Sequence, residues 1–248
     1  MSLDSIVKIS IEAKSISMSQ KGFGIPLILA FNSDDGAAKV ELYRNAGELP
    51  VNSKVTAYEM ANIIFAQSPS VSLVKIGFAR KGSSLKDALV AICNLDRDFY
   101  GLLLADDPKI AELKELEAHL ESHRLFLGLD VSKTNDAEIK KLKSDRIFTI
   151  YNPQPGQQFA GAWMGKMLPV AAGSSSWAYR ELKKVNSYTV SAVSENELIE
   201  QKTNRYIQIK GVDVILDGRA TSGRFIDITH GIDWLHARMQ ERLFRLLG

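Results

Sequence analysis

The fold is decided by residues 72–106, SLVKIGFARKGSSLKDALVAICNLDRDFYGLLLAD, in which an amphipathic segment stands between two short apolar runs. Short apolar runs bounded by turn residues are typical of buried strands, and the segment between them has the periodicity of a helix. The alternation continues with a predicted helix, strand, helix and strand over residues 108–123, 124–130, 136–144 and 146–151. Because strands that alternate with helices of this length form βαβ units, the sequence predicts an α/β fold with a mainly parallel sheet and flanking helices.

Two segments on the N-terminal side extend this unit. Residues 25–32, IPLILAFN, form a continuous apolar run between GFG and SDDG, which predicts a buried central strand. Residues 58–67, YEMANIIFAQ, have the pattern of a short amphipathic helix that ends before Ser68 and Pro69, since the residue preceding a proline is disfavoured in the helical conformation.

The pattern changes after residue 151, where the chain becomes rich in loops and small residues. Strand-like alternation returns over residues 204–218, and a terminal helix is predicted from about Ile232 to Leu247. We therefore expect three parts. They are an N-terminal strand within residues 1–19, an α/β domain over residues 20–170, and a smaller α+β segment over residues 171–248 that ends in a helix.

Composition and charge exclude several classes of protein. The chain has 248 residues, of which 45% are hydrophobic and 24% are charged, as expected of a folded globular protein. Its formal net charge of only +2 gives no general reason to expect a nucleic acid or an anionic membrane as a partner, and we expect neither. No stretch approaches the roughly 20 apolar residues that span a bilayer, and we expect the chain to fold in the cytoplasm. The single cysteine, Cys93, excludes an intramolecular disulfide and any metal site built from several cysteines.

Three aspartates offer the best enzymatic interpretation. Asp106 and Asp107 follow one predicted strand and Asp130 follows the next, so all three are expected at the carboxyl edge of the sheet, where α/β proteins bind ligands and Mg²⁺. A metal-dependent hydrolase is therefore the alternative function. The competing interpretation is structural, because Asp107 stands before Pro108 as a natural helix cap and Asp130 adjoins a loop where aspartate is common.

The stretch GRFIDITHGIDWLHARMQERLF, residues 223–244, combines candidate metal ligands with an amphipathic pattern. His230, Asp233 and His236 spread over roughly 120° of a helix that advances about 100° per residue, which is poor convergence for zinc. Five apolar residues lie on one side of this helix and predict a stripe that packs in the core: Ile232, Leu235, Met239, Leu243 and Leu246. The arginines that lie off this stripe are Arg238, Arg242 and Arg245. We interpret the stretch as a helix with one buried stripe, a basic outer face and incidental histidines, and we expect no metal and no cofactor.

Four parts of the chain, in order, resemble the sheath-like family of contractile-tail sheath proteins of myophages and prophages. The first is an N-terminal alternating strand followed by GFGIPLILAFN, and the second is ELYRNAGELPVNSKVTAYEMANIIFAQSPSVSLVKIG. The third, AAGSSSWAYRELKKVNSYTVSAVSENELIEQKTNRYIQIKG, has a small-residue loop, a tryptophan and an N-x-Y strand. The fourth and most specific part is DGRATSGRFIDITHGIDWLHARMQERLF, which is similar to the family's series Phe-Ile-Asp, Gly-Ile-Asp-Trp-Leu and Arg-x-Gln.

This resemblance implies a structural role without catalysis. Sheath subunits form a helical tube around an inner tail tube and contract to drive it into the host. The implied partners are therefore copies of the chain itself, the tail tube protein, and baseplate and tail terminator proteins. The implied location is the virion, after assembly in the cytoplasm of the host bacterium. Family members usually continue beyond the matched helix, so the resemblance also implies that their C-terminal region is absent here.

Two sets of residues acquire roles from the resemblance. The N-terminal arm, which adds a strand to the sheet of a neighbouring subunit, corresponds to Ile6, Val7, Lys8, Ile9, Ser10 and Ile11. The residues expected to face the tail tube or another interface are the three arginines of the terminal helix. A further alternative is an adaptor that binds a partner through the N-terminal strand without forming a filament.

Overall fold

The computed structural model describes residues 21–31, 36–51, 55–106, 108–154 and 156–247. The strands are β1 (Pro26–Phe31), β2 (Lys39–Tyr43), β3 (Val74–Ala79), β4 (Gly101–Leu104), β5 (Phe126–Val131), β6 (Ile147–Tyr151), β7 (Arg205–Ile209) and β8 (Val212–Leu216). The α-helices are α1 (Thr56–Phe65), α2 (Leu85–Leu95), α3 (Ile110–His123), α4 (Phe159–Met167), α5 (Ala192–Glu200) and α6 (Ile226–Leu247). Short 3₁₀ helices lie at Lys21–Gly24, Ala46–Glu48 and Ile139–Lys141.

Strands β1 to β6 form one sheet in the order β2-β3-β1-β4-β5-β6. β1 pairs in parallel with β3 and β4, β4 with β5, and β5 with β6, whereas the edge strand β2 pairs antiparallel with β3. The predicted α/β fold with a mainly parallel sheet is therefore confirmed. β1 is the buried central strand that its apolar sequence predicts, because helices cover both faces of the sheet.

Alternate residues of β1 point to opposite faces of the sheet and enter different hydrophobic clusters. Leu27 and Leu29 pack with residues of α2 and α3, and Ile28 and Ala30 pack with residues of α1 and α4. The cluster on the α1 and α4 side also contains residues from the C-terminal part of the chain, namely Trp177, Leu182, Tyr206, Ile215 and Ile226. The hydrophobic core is thus continuous across residue 170, and the division of the chain at that residue stays a prediction.

The predicted helix over residues 136–144 is wrong, because only the single 3₁₀ turn Ile139–Lys141 forms there. The Asp136 carboxylate accepts the backbone N–H of Ile139 at 3.3 Å, and the Asp136 N–H donates to the Gln201 side chain at 2.7 Å. Ile139 and Leu142 are both buried in the cluster under α2 and α3. These local and tertiary contacts hold the chain in a compact turn, and they override the helix propensity of its lysines.

α4 forms in a segment whose many small residues predict a loop. Its glycines lie against α1, where a Cβ added to Gly165 would be 2.9 Å from Ile64 Cα and one added to Gly161 would be 3.1 Å from Met60 Cγ. The small residues therefore allow two helices to approach closely instead of marking a loop. The sequence pattern also did not predict the edge strand β2 or the helix α5.

The strand-like alternation over residues 204–218 becomes a hairpin of β7 and β8. Its turn residues, Lys210 and Gly211, have φ of 49° and 84°, and positive φ at both positions is typical of two-residue hairpin turns. α6 begins at Ile226, well before the predicted start at Ile232. Asp227 in its first turn accepts the Trp177 N–H at 2.7 Å, and a negative charge is favourable at a helix N-terminus. Within the part of the chain that the structure describes, no helix has the length and apolarity needed to cross a membrane.

Candidate functional site

The carboxyl edge of the sheet is where the sequence predicts a metal site. Asp106 lies just beyond the end of β4, and Asp130 lies in the adjacent parallel strand β5, directly before its final residue Val131. Asp107 lies outside the described residues. Asp106 is exposed, and Asp130 Oδ1 accepts the Ala160 N–H at 3.2 Å, at the start of α4. Among the described ranges no group of three or more His, Cys, Asp or Glu side chains could hold a metal ion. The observed role of Asp130 is to satisfy an amide at a helix N-terminus.

α6 is attached to the sheet through a buried carboxylate. The Asp233 side chain is 1% exposed and accepts two hydrogen bonds from Arg146, from Nη1 at 2.6 Å and from Nη2 at 2.9 Å. The Tyr100 hydroxyl donates to the same carboxylate at 2.9 Å, and Arg124 Nη1 lies 3.5 Å from it. Arg146 Nε also donates to Glu121 at 2.6 Å. Burial next to Asp233 raises the pKa of Tyr100 well above its ordinary value. This network joins α6 to three other parts of the fold.

His230 is a second buried polar residue of α6. Its ring lies 6.0 Å from that of Phe23, 5.3 Å from that of Tyr100 and 5.9 Å from that of Trp177, between centroids. Burial lowers the pKa of His230 to about 4, because desolvation of the imidazolium outweighs the attraction of Asp233. His230 therefore packs in an aromatic cluster. The sequence did not predict this role, because it indicated only that the histidines are incidental.

The predicted packing stripe of α6 is wrong, because it faces away from the body of the protein. The exposed fractions of Ile232, Leu235, Met239, Leu243 and Leu246, here called the apolar stripe, are 52%, 53%, 42%, 44% and 82%. The residues of α6 that are buried instead are Ile226, Thr229, His230 and Asp233. With about 100° per residue, the stripe points roughly 130° away from this buried face. An apolar surface of this kind on a helix indicates an interaction site.

The arginines Arg238, Arg242 and Arg245, here called the arginine flank, border the apolar stripe on one side and are exposed. Glu241 accepts from Arg238 Nη1 at 2.7 Å and from Arg245 Nη2 at 2.7 Å, and the hydrogen bond from Arg238 lowers the pKa of Glu241. The guanidinium of Arg238 also lies 5.7 Å from the centre of the Trp234 ring. Exposed ion pairs of this kind are weak, so the flank keeps its positive character toward a partner.

The proposed N-terminal arm, Ile6, Val7, Lys8, Ile9, Ser10 and Ile11, lies outside the described residues. Its role in linking subunits therefore stays a prediction. The described chain begins at the 3₁₀ helix Lys21–Gly24, whose Phe23 ring stacks on Tyr100 at 4.7 Å.

The buried pair of Arg146 and Asp233 is the main feature that sequence reasoning missed. One signal was present, because Asp233 continues the helical spacing from Ile226 through Thr229 and His230, so these four positions share one face. An aspartate on the same face as a buried isoleucine needs a cationic or hydrogen-bonding partner. Nothing in the sequence indicates that this partner is Arg146.

The fold is similar to that of solved contractile-tail sheath proteins. It combines the six-stranded sheet with helices on both faces, the small antiparallel sheet and the long terminal helix. No protein-family model and no curated protein matches the chain in sequence. The likeness to solved structures therefore rests on three-dimensional shape.

Three solved structures illustrate this likeness. The chain is similar to a chain of the anti-feeding prophage helical sheath in its contracted state, with a TM-score of 0.63, 16% identity, and coverage of 97% of this chain and 76% of that one. It is similar to a chain of the contracted anti-feeding prophage baseplate, with a TM-score of 0.63, 12% identity, and coverage of 100% and 78%. The third is the sheath tail protein from Desulfitobacterium hafniense, with a TM-score of 0.58, 10% identity, and coverage of 96% and 82%.

Proposed function

We propose that this protein is a structural subunit of a contractile tail sheath, which polymerises around a tail tube and contracts to drive that tube into the host. The observation that carries the proposal is the fold likeness to a contracted prophage sheath over 97% of the chain. Its place is the virion, after assembly in the bacterial cytoplasm, with baseplate and tail terminator proteins as further partners. No cofactor and no catalytic residue is needed for this role.

Self-assembly is assigned to strand addition by the N-terminal arm, residues 6–11. Backbone hydrogen bonds between a donated strand and a sheet edge tolerate rotation of the subunits around the link better than side-chain contacts do. Because the donor and the acceptor are different surfaces, each copy binds the next in a head-to-tail manner. Such contacts generate an open helix when the rotation between copies does not close a ring, as a sheath requires.

Docking to the tail tube is assigned to α6. Its exposed apolar stripe would be buried against an apolar strip of the tube, and the arginine flank would lie over acidic side chains beside that strip. Burial of apolar area supplies most of the binding free energy of such an interface, and the charges set its orientation and its rate of association. A helix that lays an apolar face on a partner is a common mode of recognition.

Negative-stain electron microscopy of the concentrated protein, with and without the corresponding tail tube protein, tests the proposal. We expect striated tubes, either from the protein alone or around the tail tube. Featureless protein in both preparations would contradict the sheath assignment. Decoration of the tail tube without polymer would favour an adaptor instead.

Charge reversal tests the arginine flank. The variant Arg238→Glu, Arg242→Glu, Arg245→Glu should abolish co-sedimentation with tail tubes, because it places negative charge over the acidic surface. A matched control with the same change of charge is Arg80→Glu, Lys81→Glu, Lys86→Glu, at exposed positions around the start of α2. Equal binding by both variants would contradict the assigned role of the flank.

A further inference from the structure

α6 leaves the body of the protein at Asp233. Its base, residues 226–233, contains every residue of the helix that the structure describes as buried, whereas none of the described side chains over residues 234–246 is buried. The projecting half, residues 234–247, is about 21 Å long at about 1.5 Å per residue. Contacts at the base therefore decide the direction in which the apolar stripe and the arginine flank are presented.

Asp233 is the last buried residue before the helix projects, and its contacts are directional. The two guanidinium nitrogens of Arg146 bind its two oxygens separately, and the Tyr100 hydroxyl binds the oxygen that Nη1 contacts. A bidentate pair of this type accepts one mutual orientation, because both N–H bonds must point along the same plane. The ring contacts of His230 are less specific, since stacked rings slide over each other at little cost.

A change in the position of α6 would break this arrangement. Sliding the helix by one turn, about 5.4 Å, or rotating it by one residue, about 100°, would separate Asp233 from Arg146 and break their bidentate pairing. A buried ion pair adds little net stability compared with apolar side chains of similar size, and its best-attested use is to select one register. The pair is therefore suited to fixing geometry more than to adding stability.

We propose that Asp233 is a positioning residue that, through Arg146 and Tyr100, fixes the direction and rotation of the projecting half of α6. The effect on tube docking rests on the proposed function, but the geometry of the helix does not. Replacing the pair by apolar residues, Arg146→Met with Asp233→Leu, should keep the fold and release the helix.

The experiment measures a distance between two spin labels by electron paramagnetic resonance, in a Cys93→Ala background that removes the native thiol. One label is placed on α6 by Phe244→Cys and one on α2 by Lys86→Cys, both at exposed positions. Residue 244 lies about 16 Å along the helix from Asp233, so a tilt of about 15° moves the label by about 4 Å. We expect one narrow distance distribution in the parent protein and a shift or broadening of about 4 Å in the double variant.

The control removes a bidentate ion pair between a buried lysine and a partly exposed aspartate, neither of which belongs to α6. Lys75 donates to both oxygens of Asp96 at 2.8 and 2.7 Å, and its side chain is 2% exposed. The variant Lys75→Met, Asp96→Leu should leave the label distance unchanged. Both double variants are also compared with the parent in urea unfolding, which separates release of the helix from general loss of stability.

The outcomes are distinct. An unchanged distance in folded Arg146→Met, Asp233→Leu protein would overturn the proposal. If that variant does not fold, Arg146→Lys replaces it, because lysine keeps the charge and loses the bidentate geometry. A broadened distance in this variant supports the positioning role, and an unchanged one refutes it. A parent protein with a narrow distance that does not bind tail tubes would contradict the proposed function and leave the positioning role intact.

Discussion

The triple variant Leu235→Gln, Met239→Gln, Leu243→Gln tests whether the apolar stripe binds a partner or stabilises the chain itself. These side chains are 53%, 42% and 44% exposed, so about half of each remains to be buried against a partner. Full burial of such a side chain contributes about 1.5–3 kcal/mol, and half of it contributes about 1 kcal/mol. Loss of all three should therefore weaken docking by about 3 kcal/mol, which is about a 100-fold increase in Kd for the tail tube.

The same variant should change the stability of the isolated chain very little. Glutamine is a good helix former, and surface substitutions usually change the free energy of unfolding by about 0.5 kcal/mol or less each. Co-sedimentation with assembled tail tubes gives the Kd, and urea unfolding followed by circular dichroism gives the stability.

Leu116→Gln is the control for this variant, since Leu116 of α3 is fully buried, and it should lose about 3 kcal/mol or more of unfolding free energy. A comparable loss in the triple variant would show that the stripe packs within the chain. An unchanged Kd would refute docking through the stripe.

Gly165→Ala should destabilise the protein by about 1–2 kcal/mol in urea unfolding, because the new Cβ would lie 2.9 Å from the Ile64 backbone and the overpacking outweighs the gain in helix propensity. Gly161→Ala, whose tightest new contact is the flexible Met60 side chain, should be neutral or slightly stabilising; the opposite order would contradict the packing argument. The pKa of His230 is about 4 in the folded protein against an ordinary 6.5, so the unfolded chain takes up the proton first as the pH falls. The stability that neutral His230 contributes is therefore complete above pH 6.5 and is lost as the pH falls toward 4. This loss should amount to about 3 kcal/mol, and His230→Phe should reduce the slope of stability against pH; equal slopes would show that other groups cause it. Raising the salt concentration should weaken tube binding by the parent protein through the arginine flank, and the control variant Arg80→Glu, Lys81→Glu, Lys86→Glu should keep this dependence; salt-independent binding by the parent would argue against an electrostatic contact.

The regular part of the fold was predictable because each element carries its own periodic pattern. The apolar run of β1 and the amphipathic pattern of α2 lie in short stretches whose burial follows from the types of residue within them. The same reasoning failed over residues 136–144, where Asp136 and Gln201 impose a turn, and over α4, where glycine serves helix contact.

The candidate site was predictable only in outline. The resemblance of the terminal stretch to sheath proteins implies an assembly role for this helix, and that role stays a prediction. At the carboxyl edge of the sheet, the position of the aspartates in the sequence did not predict what they contact. Two of its aspartates do lie near that edge, but Asp130 contacts the amide of Ala160, a residue from a helix that the sequence pattern did not predict.

By itself, the sequence of this protein determined which segments form the parallel sheet, and that its last helix has an apolar side and an arginine-rich side. These are local properties, because they depend on the spacing of residues within one strand or helix. Only the tertiary structure decided which side of that helix meets the body. Arg146 directly precedes β6 and Tyr100 directly precedes β4, far from Asp233 in the chain, and the three form their buried network only when α6 is packed against the starts of these strands. Satisfying that buried carboxylate orients the base of α6 toward the sheet and leaves the apolar stripe exposed.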